Sequence, residues 1–172
     1  GVTRAIVNNG RDSALHLAAG ASVRVGLCAH LARHDPRAGR ATLTPDAAFD
    51  VHADMPVRGV ATSGWRGRSL SLGIADSVTV LAATAAEADA AATMIANAVD
   101  VADARIVRRP ARDVRDHRYL GDHLVSVDVP PLDAPRRLDG HSAQPGKPGG
   151  PRLRRPPQAF PALLASSAVP DD

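Results

Sequence analysis

The sequence predicts an α+β fold, and three observations carry that prediction. Short segments rich in branched residues recur between turn signals. One later segment carries a complete helix-start signature. The apolar residues are almost all aliphatic: Phe49, Trp65, Tyr119 and Phe160 are the only aromatics. The core must therefore be built from Ala, Val, Leu and Ile, which pack closely but bury less area each.

Residues 3–9 alternate and are rich in branched side chains, so they read as a strand that Gly10 ends. Residues 14–17 and 22–28 read as two more, with Ala19 and Gly20 as the turn between them. Residues 33–56 carry Pro36, Gly39 and Pro45 and read as a loop or irregular hairpin, with weak strands at 41–43 and 49–52. Residues 57–62 form another candidate strand, followed by a turn over 63–67. The clearest strand is 77–81, Ser-Val-Thr-Val-Leu.

The clearest helix follows it. Thr84 and Glu87 have the spacing of a capping box, and the alanine-class helix formers beyond them run to Val99. Met94, Ile95 and Val99 give its apolar side. Asp89, Thr93 and Asn97 recur every four residues and make one polar stripe. A last strand is expected at 124–129.

The domain is expected to span residues 1–130 and to be the C-terminal portion of a longer one, because Gly1 leads into a strand at once. From 131 to 172 Pro, Gly, Arg and Ser dominate, and such a segment buries too little apolar surface to offset its chain entropy. That tail is expected to be disordered.

The formal net charge of +3 is carried almost wholly by arginine, and Lys147 is the only lysine. Many of the basic residues lie in the C-terminal third, so nucleic acid is not an expected partner. Cys28 is the single cysteine, which excludes an intrachain disulfide and a paired-cysteine metal site. No stretch approaches the roughly 18 apolar residues of a membrane span, and a cytoplasmic location is expected.

Three segments carry candidate chemistry. Asn8, Asn9, Gly10, Arg11 and Asp12 follow a strand, where a glycine lets the backbone approach a phosphate and its amides can cradle an anion. On spacing alone a plain β-turn is the better reading. Residues 59–65 place Thr62 and Ser63 between two glycines at a strand end, with Trp65 available to stack on a ring. Asp89 and Thr93 point the same way on the capped helix, and oxygen-only ligands suit a hard cation such as Mg²⁺. His30 and His34 are four apart, but the surrounding Arg33, Asp35 and Pro36 argue for a loop rather than a zinc helix. No spacing supports a Ser-His-Asp triad, and no Walker-type loop or GxGxxG occurs.

Taken together, the segments NNGRD, GVATSGWRGRS, LGIADSVTVLA and TAAEADAAAT resemble the ApbE family of FAD-dependent FMN transferases. The chain is most similar to a large set of ApbE-like proteins, over roughly residues 1–130. The resemblance implies an antiparallel sheet with helices packed on one face, with FAD and Mg²⁺ as cofactors. It implies that Asp89 and Thr93 bind Mg²⁺ beside the pyrophosphate. It also implies that Asn8, Gly10 and Asp12, with Thr62, Ser63 and Gly64, shape the nucleotide cavity. The chain departs from the family at Arg11, where the family has glycine. It departs again at 69–76, where the transferases carry a histidine and a DPxTG segment. The expected function is binding of a flavin nucleotide, FAD, with Mg²⁺; FMN transfer to an acceptor protein or FAD pyrophosphate cleavage is the activity that the resemblance would add to it. The alternatives are a flavin-binding or carrier protein without catalysis, or an inactive truncated member.

Overall fold

The computed structural model describes residues 1–27, 45, 47–67, 69–115, 120–132 and 163–166. In chain order the elements are β1 (Arg4–Asn8), β2 (Asp12–Leu17), β3 (Ser22–Leu27), β4 (Ala47–His52), β5 (Gly59–Ser63), β6 (Ser77–Ala82), α1 (Ala85–Ala98), β7 (Val107–Pro110), α2 (Ala111–Val114), β8 (Leu124–Asp128) and β9 (Leu163–Ser166). Together they make a small α+β fold. A five-stranded sheet has the order β1-β2-β5-β6-β9 with every pair antiparallel. Two smaller pairs, β3–β4 and β7–β8, stand beside it.

The two-residue period of the central strands sends alternate side chains to opposite faces. Ala61 of β5 and Val78, Val80 and Ala82 of β6 meet α1, which buries Ala88, Ala92 and Ala96 against them. Small side chains on both surfaces let helix and sheet approach closely. Val60 and Leu81 point the other way and join Leu15, Leu17, Val51 and Val57 in a second core. Among the described residues, the sheet thus has α1 on one face and the β3–β4 pair on the other. The four-residue α2 sits on β7 and β8 instead.

The buried face of α1 differs from the sequence expectation. Ile95 and Val99 pack at its edge, but Met94 is 58% exposed. The alanine stripe is what touches the sheet, because a larger side chain there would hold the helix away. The capping box forms as expected: the Thr84 hydroxyl accepts from the Glu87 amide at 3.2 Å, and the Glu87 carboxylate accepts from the Thr84 amide at 3.1 Å. Thr84→Ala should therefore cost about 1 kcal/mol and lower the thermal midpoint by a few degrees. A melting curve followed by circular dichroism measures this.

Three elements are absent from the sequence reading. The charged side chains of β7 hid it, since Arg108 pairs with Asp100 across the preceding loop. The short α2 has no side-chain cap. Within the segment expected to lack structure, Leu163–Ser166 pairs with β6 as β9 and covers what would otherwise be an open sheet edge. The other residues from 133 onward, the expected strand at 41–43, Cys28, His30, His34 and Tyr119 lie outside the described residues. Among the described residues, no helix is long and apolar enough to cross a membrane.

Candidate functional site

A cavity lies on the sheet face away from α1. It has a volume of about 560 Å³ and is bounded by the β1–β2 turn, the end of β3, β5, the turn after β5, and β8. Asn8, Gly10, Thr62, Trp65, Arg66 and Asp76 form its chemically distinctive wall.

The β1–β2 turn is closed by its own side chains. The Gly10 amide donates to Asn8 Oδ1 at 2.7 Å, and the Asp12 amide donates to Asn9 Oδ1 at 3.2 Å. Asn8 Nδ2 also donates to Ser13 Oγ at 2.7 Å. Gly10 has a φ of +108°, a conformation that side-chain-bearing residues rarely adopt. Asn8 and Gly10 line the cavity, but three of the turn's amides, those of Asn9, Gly10 and Asp12, are already engaged within it.

The second wall begins where β5 ends. Gly64 has a φ of +152°, and a Cβ on it would collide with the Asp76 carbonyl oxygen. Its lack of a side chain therefore lets the chain turn against the start of β6. The Trp65 amide then donates to the Ala75 carbonyl at 3.0 Å. This brings both Trp65 Nε1, at 2.8 Å, and Arg66 Nε, at 2.6 Å, onto Asp76 Oδ1. The Arg66 guanidinium also lies over the Trp65 ring, 4.9 Å from its centroid. A carboxylate that is 9% exposed thereby fixes an aromatic ring and a cation in one wall. Arg11 packs beside them: a Cβ on Gly67 would lie only 2.5–2.7 Å from its guanidinium.

Of the residues singled out from sequence, the structure gathers Asn8, Gly10 and Thr62 around the cavity. The Thr62 and Thr79 hydroxyls share a hydrogen bond of 2.8 Å across β5 and β6. Ser63 is buried opposite Val78, on the α1 side. Asp12 is paired with Ala61, on that same side, and does not line the cavity. Gly64 shapes the corner without forming the wall. Asp89 and Thr93 are exposed on α1, across the sheet from the cavity, and no residue of α1 lines it. Asn97, third in their stripe, ties the helix to the segment before β6. Its Oδ1 accepts from Ser71 Oγ at 3.1 Å and from the Leu72 amide at 3.0 Å.

Sequence reasoning missed Asp76, Arg66, Arg115 and Ser126 as wall residues. Ser126 is 3% exposed, and its hydroxyl has no partner among the described residues. No spacing rule marks these positions, because the wall is assembled from segments far apart in the chain. Among the described residues, no group of three His, Cys, Asp or Glu could hold a metal ion.

Residues 1–140 match the model of a family described as AbpE bacteria. The chain is similar to a "UPF0280 protein" of Methanoregula boonei, 32% identical over 143 residues, which covers 81% of this chain and 56% of the relative. It is also similar to a "UPF0280 protein" of Methanothermobacter thermautotrophicus, 38% identical over 132 residues, which covers 71% of this chain and 47% of the relative. The chain thus spans about half the length of these curated relatives. No solved structure matches it.

Proposed function

From the premise that the chain belongs to the AbpE bacteria family, we propose that it binds a flavin nucleotide, FAD, in the cavity between the β1–β2 turn and β8. The single observation that carries this reading is the composition of the wall: one aromatic ring, hydroxyl and amide side chains, and three guanidinium groups around about 560 Å³. Ligand pockets of small molecules and cofactors typically enclose roughly 300–1,000 Å³. Trp65 offers a face on which a ring system can stack, and the cations offset the charge of a pyrophosphate. Thr62 and Asn8 supply groups that can fix orientation. The relation to the ApbE transferases, drawn from the sequence resemblance, supports the choice of ligand.

Asp89 and Thr93, the residues that the same resemblance implies for Mg²⁺, are exposed on α1, and no residue of α1 lines this cavity. Among the described residues, the wall contains no histidine, and its carboxylate Asp76 already accepts two hydrogen bonds. The chain's residues are thus suited to holding and orienting the nucleotide, and the proposal is binding without FMN transfer.

Incubation of the purified chain with FAD, followed by chromatography of the flavins and adenine nucleotides, tests this. The expected result is FAD retained by the protein and recovered intact. Release of AMP and FMN would contradict the non-catalytic reading, and failure of a folded chain to retain FAD would contradict the flavin reading.

A further inference from the structure

We infer that the floor of this cavity is a hydrogen-bond donor: the hydroxyls of Ser13 and Thr62 each give a proton to an oxygen of the ligand, a ring carbonyl or a phosphate oxygen. Ser13 lies just outside the segments that carry the family resemblance. The choice of FAD as ligand rests on the flavin reading; the direction of the hydrogen bonds does not.

One fixed donor sets the direction at Ser13. The Gly10 amide can only donate, so the Asn8 atom that receives it at 2.7 Å is Oδ1. The other end of that side chain is then Nδ2, which can only donate, and it does so to Ser13 Oγ at 2.7 Å. The Ser13 hydroxyl is the acceptor in that bond, and its own proton makes no hydrogen bond to a described residue. A hydroxyl that already accepts is polarised and donates more strongly. Ser13 lies opposite Val60 on the sheet face away from α1, is half-buried, and lines the cavity.

Burial sets the direction at Thr62. The Thr62 and Thr79 hydroxyls share one bond of 2.8 Å, which uses one of their two protons. Thr79 is 4% exposed, whereas Thr62 is half-buried and lines the cavity. A polar group without a partner costs about 1–3 kcal/mol where it is buried, and little where solvent or a ligand reaches it. Thr79 therefore donates, and Thr62 keeps its proton for the cavity. Ser13 and Thr62 are diagonal neighbours on the paired strands β2 and β5, because Ser13 faces Val60. Such positions lie about 7–8 Å apart, close enough for two oxygens of one ligand to meet both hydroxyls.

Calorimetric titration of the full chain with FAD, riboflavin and inorganic pyrophosphate tests this. Ser13→Ala should weaken FAD about three- to tenfold, the worth of one hydrogen bond, in a chain that still melts cooperatively. A parallel loss for riboflavin identifies a ring carbonyl as the acceptor, and a loss for pyrophosphate identifies a phosphate oxygen. Asn8→Asp keeps an acceptor for the Gly10 amide but offers Ser13 a carboxylate oxygen, which captures its proton. It should weaken FAD, and by less where Ser13 is already alanine. That dependence on Ser13 separates an orienting role of Asn8 from a merely structural one.

FAD bound equally well by Ser13→Ala would overturn the inference and leave the flavin reading standing. An Asn8→Asp effect of the same size in both backgrounds would overturn the assigned direction. Pyrophosphate binding that Ser13→Ala weakens, without any flavin binding, would uphold the donor site and remove the flavin reading. A folded chain that binds none of the three probes would overturn both.

Discussion

Replacing Ala92 with leucine is expected to destabilise the domain by about 3 kcal/mol, in contrast to a near-neutral Thr93→Ala one position along. Ala92 is 1% exposed at the middle of the stripe that packs on Ala61, Val78 and Val80. The helix lies close to the sheet because every residue of that stripe is alanine. An isobutyl group has no space there, so either the helix moves away or neighbouring side chains leave their rotamers. Domains of this size are stable by only about 5–15 kcal/mol, so the loss would be a large fraction of the total. Thr93 is exposed on the same helix and touches neither core. Urea denaturation of the two variants decides the matter. Equal midpoints would mean that α1 presents a different face to the sheet.

The second large effect is expected at Asp76. Its Oδ1 accepts from both Trp65 Nε1 and Arg66 Nε, and removing it leaves an indole and a guanidinium without that acceptor in a partly buried wall. The loss of such a partner typically costs about 1–3 kcal/mol. Asp76→Ala should therefore weaken FAD binding at least roughly tenfold, a change of about 1.4 kcal/mol, and should shift the emission of Trp65 as its ring loses its anchor. Asp76→Asn retains an acceptor for the indole but loses the ion pair with Arg66, so it should fall between Asp76→Ala and the unaltered chain. Fluorescence titration of the three proteins measures the series. Identical affinities would show that the Trp65–Arg66 wall does not contact the ligand.

The elements with local signatures were legible in the sequence. β6 is a run of branched residues, and α1 announces itself through Thr84 and Glu87. The Ala19–Gly20 turn separates β2 from β3 as its composition suggests. The elements without such signatures were not legible. β7 carries arginines whose partners, such as Asp100, come from outside the strand. β9 takes part in the sheet through the free edge of β6, a tertiary fact that its four residues do not encode alone.

The site divides in the same way. Asn8, Gly10 and Thr62 stood out because turn chemistry and small hydroxyl residues at a strand end are local patterns, and all three line the cavity. Asp76 did not stand out. Its importance comes from Gly64, whose backbone lets the chain turn so that Trp65 and Arg66 reach a carboxylate eleven and ten residues away, respectively. The helical spacing of Asp89 and Thr93 was read correctly as a shared face. Only the topology could reveal that α1 packs on the sheet face opposite the cavity.

Binding of a flavin nucleotide in this cavity is open to direct observation by titrating FAD into the full chain while following the emission of Trp65. It is the only tryptophan and it stands in the cavity wall, so it reports on the site itself. Saturable quenching that is weakened in Asp76→Ala is the expected result. Emission from a folded chain that shows no saturable response to FAD would contradict flavin binding at this site.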